Sequence, residues 1–417
     1  MIQTRPAGAN WSGNHRYRAA QTLLPADLDE LATAISDAGS VRVQATRHTF
    51  NDVGDTDGAL VSLERMPVAI DVAAEHVRVE GLVTFAQLAP VLEAEGRALH
   101  NLGSLPHISV AGATATGTHG SGVLNGNLSS AVTAVEIMDA TGAIERFDRA
   151  HAWFPAAALS LGALGVVTAV ELRTEPTYLV TAQVYTGISW EAIAGDPDRV
   201  LSCARSVSVF TTWGDPDDDL VWVKASDGDE SDAVLRGLGG EALDGPLHLG
   251  RIRTVNNTTA LGTAGPWHTR LPHFRADALP SDGDEIQSEY FVPLASAREA
   301  LTAVRAIAPS FTDQLLVSEL RTVASDDLWL SPAFKRDVLA VHFTWRNDTP
   351  GVREALPRVE AALAPFDVRP HWGKAFTLSG SDVRATLPRA DDFSAVVRAA
   401  DPDGVFRNAF LERTLGL

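Results

Sequence analysis

The sequence predicts an α+β protein built from two domains. Its 417 residues, 45% of them hydrophobic, are enough for two sizeable cores. Residues 1–176 combine capped helical patterns with short β-like runs, whereas residues 177–370 carry longer β-like runs with amphipathic helical patterns between them. The second pattern is typical of an antiparallel sheet covered by helices. Residues 371–417, rich in Gly, Asn and aromatic side chains, are expected to return to the site in the first domain.

The first domain begins with two capped helices and a set of short strands. In LPADLDELATAISDAGS, apolar residues recur at helical spacing behind Asp27, and Glu30 follows three residues later as a capping-box partner. A second helix, TFAQLAPVLEAEG, is bracketed in the same way by Thr84 and Gln87. Strands are predicted for VRVQA, ALVSL, VAIDV and VRVEG, and a hairpin for AVTAVEIMDATGAIERFD, with its turn near Thr141 and Gly142. The stretch SLGALGVVTAVELRTEP is predicted to be a helix end that leads into a strand.

A glycine-rich run, LGSLPHISVAGATATGTHGSGVLNG at residues 102–126, interrupts this domain. It holds too many small residues for a packed helix or an ordinary strand. It matches neither the P-loop pattern nor a GxGxxG between a strand and a helix, which disfavours an ATPase or a nicotinamide-binding fold. The run predicts a backbone-lined groove that could hold a pyrophosphate through main-chain N–H groups, although a structural turn would have the same composition.

Strand periodicity in the second domain places polar side chains on one face of its sheet. Strands are predicted for LVTAQVYT, DLVWVKAS, EIQSEYFVP, LLVSELRTV and DVLAVHFTW, and helices for SAREALTAVRAIAP and GVREALPRVEAALAPF. Alternate residues of a strand share a face, so three pairs are expected to point the same way: Gln287 with Glu289, Glu319 with Arg321, and His342 with Thr344. Leu320, Val341, Phe343 and Trp345 point the other way.

These polar pairs fit a binding pocket better than an ordinary solvated face. A solvated sheet face is the commoner cause of alternation in a single strand, but such a face usually carries flexible Lys and Glu. Arg, Glu, His and Thr together suit a convergent pocket for a polar ligand. Lys374, in PHWGKAF, is either a surface lysine or a partly desolvated base beside that pocket.

Charge and cysteine content exclude several classes of protein. The formal charge of −19 argues against sequence-independent binding to nucleic acid or to an anionic membrane. The N-terminal residues are polar throughout, so neither a signal peptide nor a membrane span is predicted and a cytoplasmic enzyme is expected. Cys203, the one cysteine, excludes an intrachain disulfide and a CxxC site, and no metal site is predicted.

Ten motifs spread along nearly the whole chain resemble one enzyme family. They are NWSGN, TRHTFND, NLGSLPHISVAGATATGTHGSG, SLGALGVV, PWHTRLPHFR, QSEY, SELRTVA, HFTW, RPHWGK and DPDGVFRN. In this order they resemble the alditol and xylitol oxidases, members of the FAD-linked oxidase superfamily of the vanillyl-alcohol-oxidase type. The resemblance implies an FAD-binding domain at 1–176 with the return segment 371–417, and a substrate domain at 177–370.

The resemblance also implies which residues hold the flavin. The family's flavin-linked histidine falls on His48, and where many relatives have G-S-G-H-S this chain has Ala45, Thr46, Arg47, His48 and Thr49. No cysteine stands in the glycine-rich run, so a single covalent linkage is expected. The cofactor residues implied are His48, Gln44, Ala45, Thr46, Arg47, Thr49, Ser104, Ser109, Gly112, Thr114, Thr116, Gly117, Thr118, His119, Gly120, Val166, Val167 and His371.

For the reaction, the resemblance implies oxidation of the terminal primary alcohol of an alditol such as xylitol or sorbitol to the aldose, with O2 reduced to hydrogen peroxide. The catalytic group implied is Lys374, His342, Glu319 and Arg321, and the substrate contacts are Ser104, Gln287, Glu319, Arg321, Thr344 and Lys374. A monomer is expected. Three alternatives remain open: an aldonolactone oxidase or dehydrogenase of the same superfamily, a dehydrogenase that does not use O2, and a flavin-free sugar-binding protein.

Overall fold

The computed structural model describes residues 2–214, 219–244, 257, 261–278 and 284–417. Up to residue 176 the chain forms short strands joined by short helices. The strands are β1 (Gln3–Pro6), β2 (Gln21–Leu24), β3 (Val41–Val43), β4 (Ala59–Val61), β5 (Ala69–Val72), β6 (His76–Glu80), β7 (Arg97–Ala98), β8 (Val132–Met138), β9 (Ile144–Asp148), β10 (Val166–Arg173) and β11 (Glu175–Pro176). The helices are α1 (Leu28–Ser36), α2 (Phe85–Ala94), α3 (Val110–Ala115) and α4 (Phe154–Ala157). The main sheets have the orders β1-β2-β4-β3 and β5-β6-β10-β8-β9.

The two predicted helix starts are confirmed. The side chain of Asp27 accepts a hydrogen bond from the backbone N–H of Glu30 at 2.8 Å. The Glu30 carboxylate accepts from the N–H of Ala26. Thr84 and Gln87 form the reciprocal capping box at the start of α2. These bonds satisfy N–H groups that a helix leaves without intrahelical partners, which is why both helices begin where the sequence predicts.

Two local predictions are wrong. The glycine-rich run contains a packed helix, α3, because Ser109 caps it by accepting from the N–H of Gly112 at 3.2 Å and its small side chains allow close packing. The stretch from Ser160 to Gly165 is a turn and not a helix end, since α4 ends at Ala157 and Gly165 has a φ of 142° that only glycine adopts readily. Leu161, within this turn, also has a positive φ.

The second half of the chain forms one large antiparallel sheet, as predicted. Its strands are β12 (Leu179–Thr186), β13 (Ser206–Thr211), β14 (Leu220–Ala225), β15 (Glu241–Ala242), β16 (Ala264–Pro266), β17 (Glu285–Pro293), β18 (Leu315–Val323), β19 (Val338–Arg346) and β20 (Arg369–Pro370). The order is β15-β12-β14-β13-β18-β19-β17-β20, with β16 also paired to β12. The helices that follow α4 are α5 (Trp190–Gly195), α6 (Pro197–Leu201), α7 (Ser231–Gly237), α8 (Trp267–Arg270), α9 (Ala297–Ile307), α10 (Thr349–Leu363), α11 (Gly380–Ala385), α12 (Ala390–Ala400) and α13 (Ala409–Leu415).

The two faces of this sheet differ as the strand alternation predicts. One core with buried residues of α9 and α10 contains Leu320, Val341, Phe343 and Trp345, and Phe343 stacks on Trp345 at a ring distance of 5.1 Å. The opposite face carries Glu319, Arg321 and His342, which line a cavity. Burial of the apolar face under the helices therefore fixes the register that presents the polar face to the cavity.

The C-terminal segment returns to the first half of the chain. Asn51 donates through Nδ2 to the carbonyl oxygens of Trp372 and Lys374, at 2.9 and 2.8 Å. The N–H of Phe50 donates to the carbonyl of Gly373 at 2.8 Å. These bonds fasten the return segment to the loop after β3. No helix within the described ranges is both long and apolar enough to cross a membrane.

Candidate functional site

One continuous cavity of about 280 Å³ separates the glycine-rich run from the polar face of the large sheet. The loop that follows β3 forms one wall, and the return segment closes the side between the two. The cavity thus brings together residues that lie more than 300 positions apart in the sequence, such as His48 and Lys374.

The loop after β3 is held in an unusual backbone conformation. Gln44 fixes its start by accepting from Thr22 Oγ1 at 2.9 Å and donating to the carbonyl of Ala7 at 3.1 Å. Arg47 has a φ of 62°, in the left-handed region that favours glycine. Its carbonyl accepts from the N–H of Trp11 at 2.8 Å. The loop therefore keeps a glycine-like turn at a position where this chain has arginine.

His48 follows that turn and faces the cavity with a free imidazole. Its ring stacks on Trp11 at a centroid distance of 5.4 Å. Both ring nitrogens are buried, and neither makes a hydrogen bond of good geometry within the part of the chain that the structure describes, although the Thr46 backbone contacts the ring weakly. Burial, with a smaller contribution from His107 and Arg47, lowers the pKa of His48 to about 4. The imidazole is therefore neutral near pH 7 and has an uncommitted lone pair.

The glycine-rich run lies against the same loop. The N–H of Ser109 donates to Thr46 Oγ1 at 3.3 Å. A Cβ on Gly112 would come within 2.6 Å of Ser109 Oγ and 3.6 Å of the Ala45 side chain, so a larger residue there would displace the Ser109 hydroxyl that caps α3. The two segments together form a wall of small side chains and backbone.

Glu289 is the centre of an ionic cluster on the opposite wall. Its carboxylate lies 2.6 Å from Arg321 Nη2, 2.7 Å from Lys374 Nζ and 3.3 Å from His119 Nε2. His342 Nδ1 lies 3.7 Å away. All five side chains are largely or fully buried. A buried carboxylate with two cationic partners and an imidazole is strongly oriented, and so are the partners.

The electrostatics of this cluster favour an ionised Glu289. Burial alone would raise the pKa of Glu289, but the charges of Arg321 and Lys374 outweigh it and hold that pKa well below its usual range. Burial lowers the pKa of Lys374 from its usual value, and the Glu289 carboxylate opposes that shift in part. Burial, and then Lys374, lowers the pKa of His342 to about 4. His342 is therefore neutral, and Lys374 is closer to losing its proton than an exposed lysine.

The neutral His342 has a defined tautomer whenever Lys374 carries its proton. Lys374 Nζ lies 2.6 Å from His342 Nδ1 and has no lone pair in its charged form, so it donates and Nδ1 accepts. The ring proton is then on Nε2, which lies 3.1 Å from Thr344 Oγ1. Across the sheet, His342 on β19 lies directly opposite Glu289 on β17 and Glu319 on β18. Thr344 on β19 lies opposite Gln287 on β17. The polar groups thus form two rows.

Glu319 is held by His273 and Arg321. Its Oε1 accepts from His273 Nε2 at 2.7 Å and lies 3.6 Å from Arg321 Nε. Burial would raise the pKa of Glu319, but Arg321 and His273 hold it well below its usual range. Arg321 also lies 3.4 Å from Ser104 Oγ, which ties the sheet to the glycine-rich run.

Most of the predicted site residues line the cavity. These are Gln44, Ala45, Thr46, Arg47, His48, Thr49, Ser104, Ser109, Gly112, Thr116, Thr118, His119, Val167, Gln287, Glu319, Arg321, His342, Thr344, His371 and Lys374. Co-location alone does not assign their roles, which remain predictions.

Four predicted cofactor residues are not in the cavity wall. The Thr114 hydroxyl donates within α3 to the carbonyl of Val110 at 3.0 Å. Gly117 packs against Leu159, and Gly120 lies so close to Asn101 that a Cβ there would meet its side chain. Val166 is fully buried in a separate apolar core that includes Met138. These four residues lie outside the cavity wall, whereas Val167, the neighbour of Val166, lines the cavity.

Sequence reasoning did not include four important residues in the site. Glu289 was placed on the polar face by alternation, but alternation does not say which of the aligned residues is central. Trp11 and His273 stand within the motifs NWSGN and PWHTRLPHFR, which carry the family resemblance but give neither residue a role. Lys224 had no such signal, because its role depends on contacts between distant segments, such as the 2.8 Å contact between its Nζ and His273 Nδ1.

His119, Glu289 and His371 have ligand atoms within 4.8 Å of one another, a spacing that could hold a metal ion. Both oxygens of Glu289 already contact cationic side chains, Oε1 with Arg321 and Oε2 with Lys374. A further positive charge would be repelled there, so the arrangement suits an ionic cluster better than a metal centre.

Comparison with known protein families divides the chain in agreement with this geometry. Residues 19–148 match the model of an FAD-binding domain, and residues 284–414 match the model of D-arabinono-1,4-lactone oxidase. The first match covers the loop of His48 and the glycine-rich run. The second covers the polar strands and the return segment.

Comparison with individual proteins gives full-length similarity. The chain is 43% identical to an alditol oxidase from a Streptomyces strain, over 98% of this chain and 99% of that protein. It is 28% identical to an L-gulono-1,4-lactone dehydrogenase of Mycobacterium tuberculosis, over 99% of each chain. The solved structure of cholesterol oxidase from B. sterolicum matches with a TM-score of 0.78 at 15% identity, covering 99% of this chain and 97% of that one, which shows a shared fold.

Proposed function

The chain belongs to the alditol oxidase family of FAD-linked oxidases, and from this premise we propose that it oxidises the terminal CH2OH group of an alditol to an aldehyde. The alcohol loses two electrons and two protons, and O2 gains them to form hydrogen peroxide. The observation that carries the proposal is the cluster of Glu289, Arg321, Lys374 and His342, which faces the loop of His48 across one cavity.

The residues present fit FAD. The wall made by Gly112, Ala45 and Thr46 is free of bulky side chains, and a side chain at 112 would displace the Ser109 hydroxyl. A flat ring system can lie against such a wall, and backbone N–H groups can bind its pyrophosphate. When bound, FAD supplies the two-electron acceptor that takes hydride from the alcohol carbon and passes the electrons to O2.

We propose a covalent bond between the flavin and a ring nitrogen of His48. The neutral imidazole makes no hydrogen bond of good geometry among the described residues and has the lone pair that such a bond needs. Stacking on Trp11 fixes the plane of the ring. Arg47 adopts the turn that glycine provides in relatives, which supports the same presentation of the histidine. Acid precipitation should leave the yellow colour in the protein pellet.

The alditol is proposed to lie along the polar rows of the sheet. Ser104, Gln287, Glu319, Arg321 and Thr344 offer donors and acceptors at the cavity wall. A polyol is well hydrated and flexible, so it binds only when most of its hydroxyl groups find partners in the site. Charge-assisted hydrogen bonds from Glu319 and Arg321 are the strongest contacts this wall can make.

Lys374 is proposed to take the proton of the reacting hydroxyl. In its charged form Lys374 donates to His342 Nδ1, and His342 Nε2 also carries a proton. Neither side chain then has a free lone pair that could accept the hydroxyl proton. Once Lys374 is neutral, its lone pair can accept the hydroxyl proton as hydride leaves the carbon. Glu289 orients the amine at 2.7 Å, and the proton later leaves from the same nitrogen.

The competing substrate class is a sugar lactone. The match of residues 284–414 to a lactone oxidase model favours it, whereas the 43% identity along the full chain favours an alditol. A peroxide-coupled assay on xylitol, sorbitol and sugar lactones separates the two. We expect peroxide with the alditols, and turnover restricted to lactones would contradict the proposal. Reduction by alditols with an artificial acceptor but not with O2 would indicate a dehydrogenase.

The division into an FAD-binding domain at 1–176 with 371–417 and a substrate domain at 177–370 remains part of the proposal. So do the monomeric state and the cytoplasmic location. Size-exclusion chromatography with light scattering tests the monomeric state, and fractionation of the source cells tests the cytoplasmic location.

A further inference from the structure

A buried lysine lies behind the substrate wall without lining the large cavity. Lys224, on β14, is 2% exposed. Its Nζ lies 2.8 Å from His273 Nδ1 and also donates to the carbonyl of Leu271. His273 does line the cavity and bonds to Glu319 through its other nitrogen at 2.7 Å. Lys224, His273 and Glu319 therefore form a chain that ends at the proposed substrate site.

This chain fixes the tautomer of His273. While Lys224 carries its proton it has only donors, so Nδ1 of His273 accepts from Lys224 and the ring proton is on Nε2. Nε2–H then donates to Glu319 Oε1. With the opposite tautomer a lone pair of Nε2 would face the carboxylate, and the carboxylate would lose this bond and be repelled.

The ring position of His273 is set independently of its tautomer. The ring stacks on Trp222 at 4.7 Å and meets the ring of Phe210 edge-on at 5.5 Å. Burial, and then the charge of Lys224, lowers the pKa of His273 to about 4, so the ring is neutral. Two aromatic rings hold a neutral imidazole in place but do not choose which nitrogen carries the proton. Lys224 makes that choice.

Burying the charged amine of a lysine at this position is energetically unfavourable. Burial lowers the pKa of Lys224 to about 7, with Glu319 opposing the shift and Arg321 adding to it. An apolar side chain of similar length would fill the same space without that cost. The lysine therefore has a role that packing does not explain.

We propose that Lys224 is a positioning residue for alditol binding, which acts through the tautomer of His273 to hold the Glu319 carboxylate in line for a substrate hydroxyl. The inference rests on the proposed function. Oε1 of Glu319 is occupied by His273 and is close to Arg321, so Oε2 is the oxygen that remains for the hydroxyl. Lys224 does not touch the substrate, and it stabilises the bound polyol more than it accelerates the chemical step.

The test is a double-mutant cycle on the flavin-loaded enzyme with xylitol at about pH 6, below the pKa of about 7 of Lys224, so that the lysine keeps its proton. We expect Lys224→Met to raise KM about ten-fold while kcat changes less than about three-fold, because a hydrogen bond to a charged group is weakened. In a Glu319→Gln background the same change should alter KM less than about two-fold, because the group on which Lys224 acts has lost its charge. Lys335→Met, at an exposed lysine, is the matched control and should leave both constants unchanged.

The inference is overturned if Lys224→Met leaves KM unchanged, or if it raises KM by the same factor in both backgrounds, as a general loss of structure would. Flavin absorbance and the melting temperature of each variant are measured alongside. If Lys224→Met yields no folded protein, Lys224→Gln goes through the same cycle with the same criteria, since its amide can donate or accept and no longer dictates the tautomer. A wild-type enzyme that oxidises lactones but no alditol would instead refute the proposed function itself.

Discussion

Replacing Glu289 with glutamine removes the negative charge at the centre of the ionic cluster and keeps its shape. The lost charge lies 2.7 Å from Lys374 Nζ and opposes the effect of burial on the pKa of Lys374. Without the Glu289 charge, the pKa of Lys374 falls further. Arg321, which also lowers the pKa of Lys374, loses its partner and acts in the same direction.

The size of the shift follows from the contact distance. An opposite charge within hydrogen-bonding distance of a buried group changes its pKa by about 1–3 units, equivalent to roughly 1.4–4 kcal/mol. In our account the wild-type enzyme gains activity with rising pH as Lys374 loses its proton. The acid limb of kcat/KM should therefore move to lower pH by about 1–3 units in Glu289→Gln. Its maximum height is expected to fall as well, because the amine is less well oriented.

The assay is the pH dependence of kcat/KM for xylitol, measured by peroxide release. Glu299→Gln is the control, since Glu299 is an exposed carboxylate on α9, one of the helices that cover the apolar face of the sheet. Its profile should coincide with that of the wild type. An acid limb that stays in place or moves to higher pH in Glu289→Gln would show that Lys374 is not the group whose deprotonation limits the reaction.

Three further substitutions test other parts of the account. His48→Ala should give a colourless acid pellet and a yellow supernatant, whereas His76→Ala, at an exposed histidine, should keep the colour in the pellet. Colour retained in the His48→Ala pellet would exclude a covalent bond between the flavin and His48. Arg321→Ala removes the cation that two buried carboxylates share and should lower kcat/KM for xylitol about 100-fold or more, while Arg346→Ala should not. An unchanged kcat/KM would refute the substrate assignment. Because burial lowers the pKa of Lys224 from 10.5 to about 7, the unfolded state binds more protons between these values and stability rises with pH there. The change in the free energy of unfolding caused by Lys224→Met should therefore be about 2 kcal/mol more favourable near pH 6.5 than near pH 8.5, whatever the loss of its hydrogen bonds to Leu271 and His273 contributes. A change independent of pH would contradict the charge argument.

Strand periodicity predicted much of the polar wall. Because Leu320, Val341 and Phe343 had to pack against helices, the residues between them had to face the other way, and the sheet has that arrangement. The same rule placed Glu289 beside Gln287. It gave no indication that Glu289 contacts Arg321 and Lys374, since pairing between strands depends on a register that a single sequence does not reveal.

Other features depend on contacts that no local pattern encodes. Lys224 and His273 are 49 residues apart, and their contact arises only after both segments reach the same face of the sheet. The left-handed conformation of Arg47 was not predictable either, because arginine rarely adopts it and tertiary bonds such as that from Trp11 hold it there. The helix in the glycine-rich run was missed because its cap, Ser109, stands among residues that usually favour loops.

The central claim is that one cavity brings an alditol and FAD together for electron transfer. Anaerobic mixing of the purified enzyme with xylitol, followed by air, tests it directly. We predict that the visible flavin absorption disappears under xylitol and returns when O2 is admitted, with hydrogen peroxide formed in proportion to the flavin. A flavin that xylitol and sorbitol both fail to reduce, while a sugar lactone reduces it, would contradict the account.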